Sequence, residues 1–576
     1  MQGSAVSSTS LQMSAPAVSA RSTAQQQVDE AVVAVKDHAR EFARLGPAAK
    51  AALVRACIPK LLAEAPGWVA EGARARGADP GEEWLAGPSA TLRMFRLLAE
   101  SLETIAAKGK PPLGRGTRVR PDGRLEIDLF PASALDAVTF QGFSGYALME
   151  RGIDEQQARE RQARFYGQRE PEGGVAVILG AGNVASIPPM DVATKMFAEG
   201  FVCVLKMNPV NEWVGPYLER ALHPLVSRGY LRIVYGGGDV GEYLTYHPLV
   251  SDVHITGSDR THDLIVWGAP GPEQDRRRRD HDPLLKVPIS SELGNVSPVA
   301  IVPHAYSEHE LRFMSRNVVS MVFNNGSFNC NAAKMLVTAA NWPQRTQFLD
   351  LVAKALAEAP NRKAYYPGAF DRYRKLTEGH RTEKFGAGSD ESLPWAFIRG
   401  LDSTTDDTLF RTEPFCGILS ETSLPSSDPA RFLADATVFM NDRLWGTLNA
   451  TIFIHPKAEK DGAIAAALDR ALVDLRYGTV GINHWPALGY AWGTMPWGGH
   501  QSATLANIQS GLGWVHNTYL LEGIDKAVLR GPLTVSPYPL WFFDNPKTGK
   551  VGPVMCDMEA APSWLKLPGL LLKVLL

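Results

Sequence analysis

Cys330 sits in the run FNNGSFNCNAAKM (residues 323–335), among Asn, Gly and Ser side chains that leave a thiol reachable by a small substrate. The attacking form of cysteine is the thiolate, so a reachable cysteine is a candidate nucleophile. The run reads as leading into a helix, and the positive end of a helix favours the thiolate. Taken alone, the same cysteine could be a buried structural thiol, since free cysteine is among the most buried residue types. Two further stretches add chemistry. In ISSELGNVSP (residues 289–298) Glu292 is the one charged residue, just after a strand-like run. A carboxylate in apolar surroundings has a raised pKa and can act as a base near neutral pH, although the same Glu could cap a turn. In GVAVILGAGN (residues 174–183) Asn183 follows a buried-strand pattern, and its side-chain amide could donate to a developing oxyanion. Lys206 ends the next strand-like run, FVCVLKM, where its ammonium could meet ribose hydroxyls or a phosphate. The fragment GAG lacks the third glycine of a GxGxxG loop and is a weak signal by itself.

These residues need elements to hold them. From Gly174 the pattern alternates: GVAVILG, FVCVLKM, LRIVY and DVHIT read as strands. Residues 188–199 and 215–227 read as helices between them. Such a βαβαβ series makes a parallel sheet with crossover helices, which binds ligands at the carboxyl ends of its strands. A second α/β unit follows from Leu285. Ahead of the sheet, residues 28–108 carry apolar positions at helical spacing. Residues 109–128 are rich in Gly, Pro and Arg and read as a connection, and residues 149–166 as a charged surface helix. The first 27 residues read as a disordered tail without the apolar block of a secretory signal. The segment GAPGPEQDRRRRDHD (residues 268–282) reads as a solvated loop rather than a phosphate site. The apolar end LPGLLLKVLL reads as packing on the body or on a neighbouring subunit.

The chain has 576 residues, enough for two or more domains, with 45% hydrophobic and 21% charged residues. A net charge of −2 speaks against a general polyanion-binding role, so no nucleic-acid partner is expected. The five cysteines are widely spread with no CxxC pair. This argues against a zinc site or a disulfide framework and for a reducing, cytoplasmic compartment. No apolar run approaches the roughly 20 residues of a membrane span. His254, His484 and His500 are not spaced as metal ligands and read as structural histidines. Cys416 reads as a core thiol.

Taken together, the motifs resemble the aldehyde dehydrogenase superfamily over residues 168–499. GVAVILGAGN resembles the strand leading to its oxyanion Asn, and VCVLK the strand with its cofactor lysine. VHITGS (residues 253–258) is similar to the segment that packs on the dinucleotide diphosphate, through Gly257 and Ser258. SELGNVSP resembles the general-base motif, NNGSFNCNAA the nucleophile motif, and PWGGH (residues 496–500) the closing motif. EPFCG (residues 413–417) resembles the segment whose Glu413 binds the nicotinamide ribose beside Phe415. The resemblance implies an α/β fold of two Rossmann-like parallel-sheet domains plus a small oligomerisation element. The expected divisions are residues 28–285 for the helical region and dinucleotide-binding domain, 286–500 for the catalytic domain and 501–576 for a C-terminal extension. It further implies NAD or NADP as cofactor, a small-molecule aldehyde as substrate, and a homodimer or homotetramer in which PWGGH and the residues after it meet a partner. In the implied reaction Cys330 attacks the aldehyde, Asn183 and the Cys330 N–H hold the oxyanion, and hydride leaves to nicotinamide. Glu292 then activates the water that hydrolyses the thioester.

The chain also departs from the pattern. One extra residue lies between Gly326 and Cys330, and Asn329 replaces the usual Gln before the cysteine. Pro209 stands where many NAD-preferring members have an acid, so a 2′-phosphate is tolerated. His262 replaces a small residue after the Gly257–Ser258 pair, and the interval from Glu292 to Cys330 is a few residues longer than usual. Two other functions fit the same fold: a CoA-dependent acylating dehydrogenase or acyl-CoA reductase, and a non-catalytic protein that kept the architecture. Retention of Glu292 speaks against the former, since a water-activating base would waste its thioester. Retention of Asn183, Lys206, Glu292, Cys330 and Glu413 together speaks against the latter.

Overall fold

The computed structural model describes residues 21–575. Most of the expected N-terminal tail lies outside them, but Gln25–Gln27 already belong to the first helix, Gln25–Lys36. Two sheets organise the chain. The first has five parallel strands in the order Leu231–Val234, Val202–Lys206, Val175–Leu179, Asp252–Gly257 and Ile289–Leu293. Its central strands VAVIL and VCVLK are almost wholly buried because helices cover both faces, the usual fate of a parallel sheet. The helix Ile187–Phe197 is sandwiched so tightly that every residue in it is buried, Asp191 and Lys195 included. The helix expected over residues 215–227 is broken into Gly215–Ala221 and His223–Val226, where Pro224 removes a backbone donor.

The second sheet has eleven strands. Seven run parallel, from Ile524–Arg530 at one side through Thr479–Ile482, Asn449–Phe453, Pro298–Ile301, Met335–Ala339 and Ile418–Leu424 to Trp395–Leu401. Antiparallel strands extend both sides: Ser144–Met149, Leu125–Phe130 and Gly116–Val119 beyond Ile524–Arg530, and Thr382–Phe385 beyond Trp395–Leu401. The fold is therefore α/β with two parallel-cored sheets, as expected, but three sequence expectations change. Residues 109–128, read as a connection, contain the strand Gly116–Val119 and the start of Leu125–Phe130. The C-terminal segment is no appendage, because Ile524–Arg530 is inserted in the second sheet. The arginine-rich segment is helical over Pro272–Arg279, its guanidinium groups paired with Glu273, Asp263, Asp280 and Asp282. Acids in its first turn and arginines in its last suit the helix dipole, which the loop reading had overlooked. The apolar end forms the helix Leu567–Leu575, which packs through Leu567 and Leu570 on Thr548–Ala560. Among the described residues no helix is long and apolar enough to cross a membrane.

Candidate active site

The predicted chemistry lies where the last strand of the five-stranded sheet approaches the loop ahead of Met335–Ala339, a central strand of the eleven-stranded sheet. Glu292 comes from the last strand of the five-stranded sheet, within Ile289–Leu293 rather than after it. Cys330 lies just before Met335–Ala339 of the eleven-stranded sheet. The Cys330 thiol donates to Glu292 Oε1 at 3.4 Å. The Cys330 carbonyl accepts from Ser297 Oγ at 3.1 Å, which ties the nucleophile to the neighbouring strand's approach.

The expected helix after Cys330 is absent. A helix, Glu308–Phe323, precedes the loop, and a strand follows it. MLVTA is wholly buried and pairs on both sides, which decides for strand. The thiol therefore has no helix N-terminus beneath it. Its pKa stands well above the ordinary thiol value, through burial first and then the Glu292 and Glu413 carboxylates. A thiolate would form here only by proton removal, and the Glu292 carboxylate is 3.4 Å from the sulfur. Burial, reinforced by the nearby Asp191 carboxylate, raises Glu292 to about 7.

The loop carrying Cys330 is bent through three successive left-handed residues, Asn325 (φ 52°), Gly326 (φ 62°) and Ser327 (φ 67°). Left-handed backbone at non-glycine residues costs about 1–2 kcal/mol each, and the loop is held there by a dense set of bonds. The Asn325 side-chain amide donates to the Asn183 carbonyl at 3.0 Å and to Asn329 Oδ1 at 3.0 Å. Asn325 Oδ1 accepts from the Tyr365 hydroxyl at 2.9 Å, and the Asn325 backbone N–H donates to Glu82 Oε1. Lys334 is fully buried and donates from Nζ to the Ser327 carbonyl at 3.0 Å. Asn329 donates to Asn324 Oδ1 at 2.8 Å, so it braces the loop rather than facing the thiol.

Asn183 is buried and donates from Nδ2 to the Phe328 carbonyl at 3.0 Å, two residues before Cys330. An amide nitrogen carries two hydrogens, so one is left for an oxyanion. Glu413 approaches over Gly294, where an added Cβ would stand 1.9 Å from its Oε2. Its carboxyl is raised by burial and moderated by the Lys334 ammonium, and its Oε1 has no partner in the protein. Phe415 packs edge-on against Tyr366 with ring centroids 4.9 Å apart.

On the other wall, Lys206 ends Val202–Lys206 with its ammonium 7% exposed; burial lowers its pKa to about 8, opposed by Asp239 and Glu212. Ser258 caps the helix Asp259–Trp267 by accepting from the Thr261 N–H at 3.2 Å, and Gly257 is exposed at its mouth. His262 is buried inside that helix and does not reach the mouth.

Residues 134–367 match the model of the aldehyde dehydrogenase family. The match spans less than half of the chain, which is similar to the aldehyde dehydrogenase family over that segment. The likeness is a distant one. Aminoacetaldehyde dehydrogenase of Pseudomonas aeruginosa is 26% identical over 370 residues, which cover 61% of this chain and 66% of that relative, just under two thirds of its length. The NADP-dependent glyceraldehyde-3-phosphate dehydrogenase of Bacillus halodurans, solved with NADP, superposes with a TM-score of 0.60 at 15% identity, over 88% of this chain and 92% of that one. An NAD-dependent aldehyde dehydrogenase of Sinorhizobium meliloti gives 0.59 at 16% identity, over 91% of each chain.

Against this superfamily background the closing motif behaves differently from expectation. Met495 and Trp497 are buried by the chain itself, and an added Cβ on Gly498 would stand 2.4 Å from the Gly513 carbonyl. PWGGH is therefore an internal seam, and the exposed surface begins just after it, at Gln501 and Ser502. Cys416 is a core thiol, as expected, with burial raising its pKa to about 11. Lys334, Asn325 and Tyr365 went unnoticed in the sequence. The one available signal was that Lys334 follows the cysteine by four residues.

Proposed function

We propose that the protein oxidises an aldehyde to a carboxylic acid with NAD or NADP, through a thioester on Cys330. The observation that carries this reading is the 3.4 Å contact from the Cys330 thiol to the Glu292 carboxylate. Glu292 removes the thiol proton as the sulfur attacks the carbonyl carbon. The oxyanion takes the remaining Asn183 N–H and the Cys330 backbone N–H. Once that proton has left to solvent, the Glu292 carboxylate takes another from the water that hydrolyses the thioester.

A dinucleotide suits the residues present. Lys206 has no hydrogen bond or ion pair in the protein among the described residues, and Glu413 Oε1 is an unpartnered acceptor beside Cys330. At the N-terminus of Asp259–Trp267 the Thr261 N–H is held by Ser258, and the Asp259 carboxylate lies against its own N–H and that of Arg260, so a diphosphate would have to displace that carboxylate to use the helix end. Lys206, Gly257, Ser258, Glu413 and Phe415 would hold the cofactor, which supplies the hydride acceptor. We include in the proposal a homodimer or homotetramer, to be read by sedimentation velocity.

The test is reduction of NAD⁺ and NADP⁺ with a panel of aldehydes, without CoA, on wild type and Cys330→Ala. Turnover to free acid that depends on Cys330 is expected. Turnover only after CoA is added would move the assignment to an acylating enzyme, and loss of both turnover and dinucleotide binding would leave a non-catalytic protein.

A further inference from the structure

The interface between Ile187–Phe197 and the five-stranded sheet ought to be apolar, since the helix is buried throughout. It instead carries a row of ionisable groups leading away from Glu292. Alternation along the strands puts His254 and Thr256 of Asp252–Gly257 on one face with Ser290 and Glu292 of the paired strand, His254 opposite Ser290 and Thr256 opposite Glu292. The helix sets Asp191 and Lys195 over that face. Asp191 Oδ2 accepts from the Thr256 hydroxyl at 2.9 Å and stands 3.3 Å from His254 Nε2. His254 Nδ1 lies 2.9 Å from Ser290 Oγ. Lys195 pairs with Asp252 at 2.7 Å and Glu199 at 2.8 Å.

Asp191 is 0% exposed and its Oδ1 has no partner among the described residues; Glu292 Oε2, at 2% exposure, has no well-aligned donor there, though the Trp497 indole N–H beside the carboxylate favours its charged form. Leaving buried carboxylate oxygens unpaired costs free energy that a core has no reason to bear without use. A cavity of about 40 Å³ touches Glu292, Asp191, His254, Ser290, Lys195 and Glu199. It is polar and roomy enough for one or two bridging waters, given about 15 Å³ per water of this measure. At its far end Glu199 is 39% exposed. From the C-terminal loop, His516 is buried against Tyr490 with both ring nitrogens unpartnered, and it feels the charges of Asp191 and His254.

We propose that this seam is the proton outlet of the general base: Asp191 and His254 carry the proton taken up by Glu292 through the cavity to solvent at Glu199. The inference rests on the thioester hydrolysis proposed above. As water oxygen bonds to the thioester carbon, one water proton goes to Glu292 and the C–S bond breaks, its electron pair leaving with Cys330 as thiolate. Glu292 then passes that proton through a cavity water to Asp191. Asp191 passes it to His254 Nε2, and the Nδ1 proton leaves along Ser290 and the cavity. Glu292 is thereby returned to carboxylate without sending the proton back across the thiolate. Asp191 and His254 touch no substrate and are positioning residues for Glu292.

The test is stopped-flow turnover of wild type, Asp191→Asn, Asp191→Glu and His254→Gln with a saturating aldehyde and dinucleotide, with thermal melts of each. In Asp191→Asn the burst of reduced nicotinamide should persist, while steady-state acid release falls about 10-fold or more, the low end of a lost acid–base contribution. Asp191→Glu should retain more activity than Asp191→Asn, and His254→Gln should reproduce the same split. Unchanged steady-state rates and isotope effects in D₂O, or a burst lost in parallel with turnover in both Asp191→Asn and His254→Gln, would overturn the outlet while leaving the dehydrogenase reading intact. Absence of any Cys330-dependent burst in wild type would overturn both.

Discussion

On one wall of the cleft Lys206 ends a regular strand, and its ammonium has no hydrogen bond or ion pair among the described residues; on the other, Cys330 rides a loop in which nearly every polar group is bonded. The first wall is a parallel-sheet edge, whose geometry the backbone ladder already fixes. It can leave a cation unpaired, ready for a ligand. The second has no ladder, because Asn325, Gly326 and Ser327 leave the regular regions of backbone space. Its geometry is set by side chains from distant segments, namely Glu82, Asn183, Lys334 and Tyr365. Binding groups and reacting groups are thus stabilised by different means, and substitutions on the two walls should fail differently.

The largest effect should come from Glu292→Gln, which keeps the shape and removes the base. Acid release should fall about 10²–10⁴-fold, and the rise of the wild-type rate with pH, centred near 7, should disappear. The sign for stability is opposite. Raised from an ordinary 4.5 to about 7, Glu292 binds its proton more tightly in the folded state. Its contribution is therefore lost as pH rises through 7. Glu292→Gln should melt higher than wild type at pH 8 and no higher at pH 4.

Next comes Asn325→Ala. Loss of the bonds that hold the left-handed turn should misplace the thiol and lower kcat about 10–100-fold, with little change in dinucleotide affinity measured by fluorescence titration. Lys206→Met should show the reverse split: KM for the dinucleotide up about 10-fold, as for loss of one charge-assisted contact of 1.5–3 kcal/mol, and kcat nearly unchanged. Equal kcat losses in both variants would abolish the distinction between the walls.

The wall built on the sheet was legible in the sequence, and the other was not. GVAVILG and FVCVLKM are apolar runs flanked by turn residues, so their strands, and Asn183 and Lys206 at their ends, follow from local pattern. Glu292 was visible as a charge in an uncharged segment. Asn325, Lys334 and Tyr365 lie in stretches with no periodicity, and their partners are up to 243 residues away, as for Asn325 and Glu82. Nothing local marks such pairs. The segment NAAKML was misread as helical because Ala, Lys and Met all favour helix, whereas pairing on both sides of Met335–Ala339 imposes strand. Ile524–Arg530 escaped because Asp525 and Lys526 break its apolar pattern. Both are buried and satisfied by tertiary partners: Arg124 for Asp525, and the Val473 carbonyl for Lys526.

The smallest effect sharpens the comparison from outside the cleft. Lys50 is a buried ammonium whose one hydrogen bond is a long 3.4 Å contact to the Ala43 carbonyl, against the rings of Phe42, Phe165 and Tyr166. Burial lowers its pKa to about 7. The unfolded chain binds this proton more tightly between 7 and 10.5, so stability rises with pH across that window. Lys50→Met should stabilise the protein by about 1–3 kcal/mol at pH 6 in a urea titration and by progressively less towards pH 10, with activity unchanged. Unlike Lys206, it lies among aromatic rings away from the proposed cofactor wall.

The central claim is that Cys330 carries the acyl group and Glu292 releases it. Intact-mass spectrometry of Glu292→Gln, quenched after prolonged mixing with aldehyde and NAD⁺ or NADP⁺ at alkaline pH, where hydroxide takes the thiol proton in place of Glu292, tests it most directly. An acyl adduct confined to the peptide bearing Cys330, and absent from Cys330→Ala, is the expected result. Turnover by Glu292→Gln at the wild-type rate with no adduct, or an adduct on another residue, would contradict it.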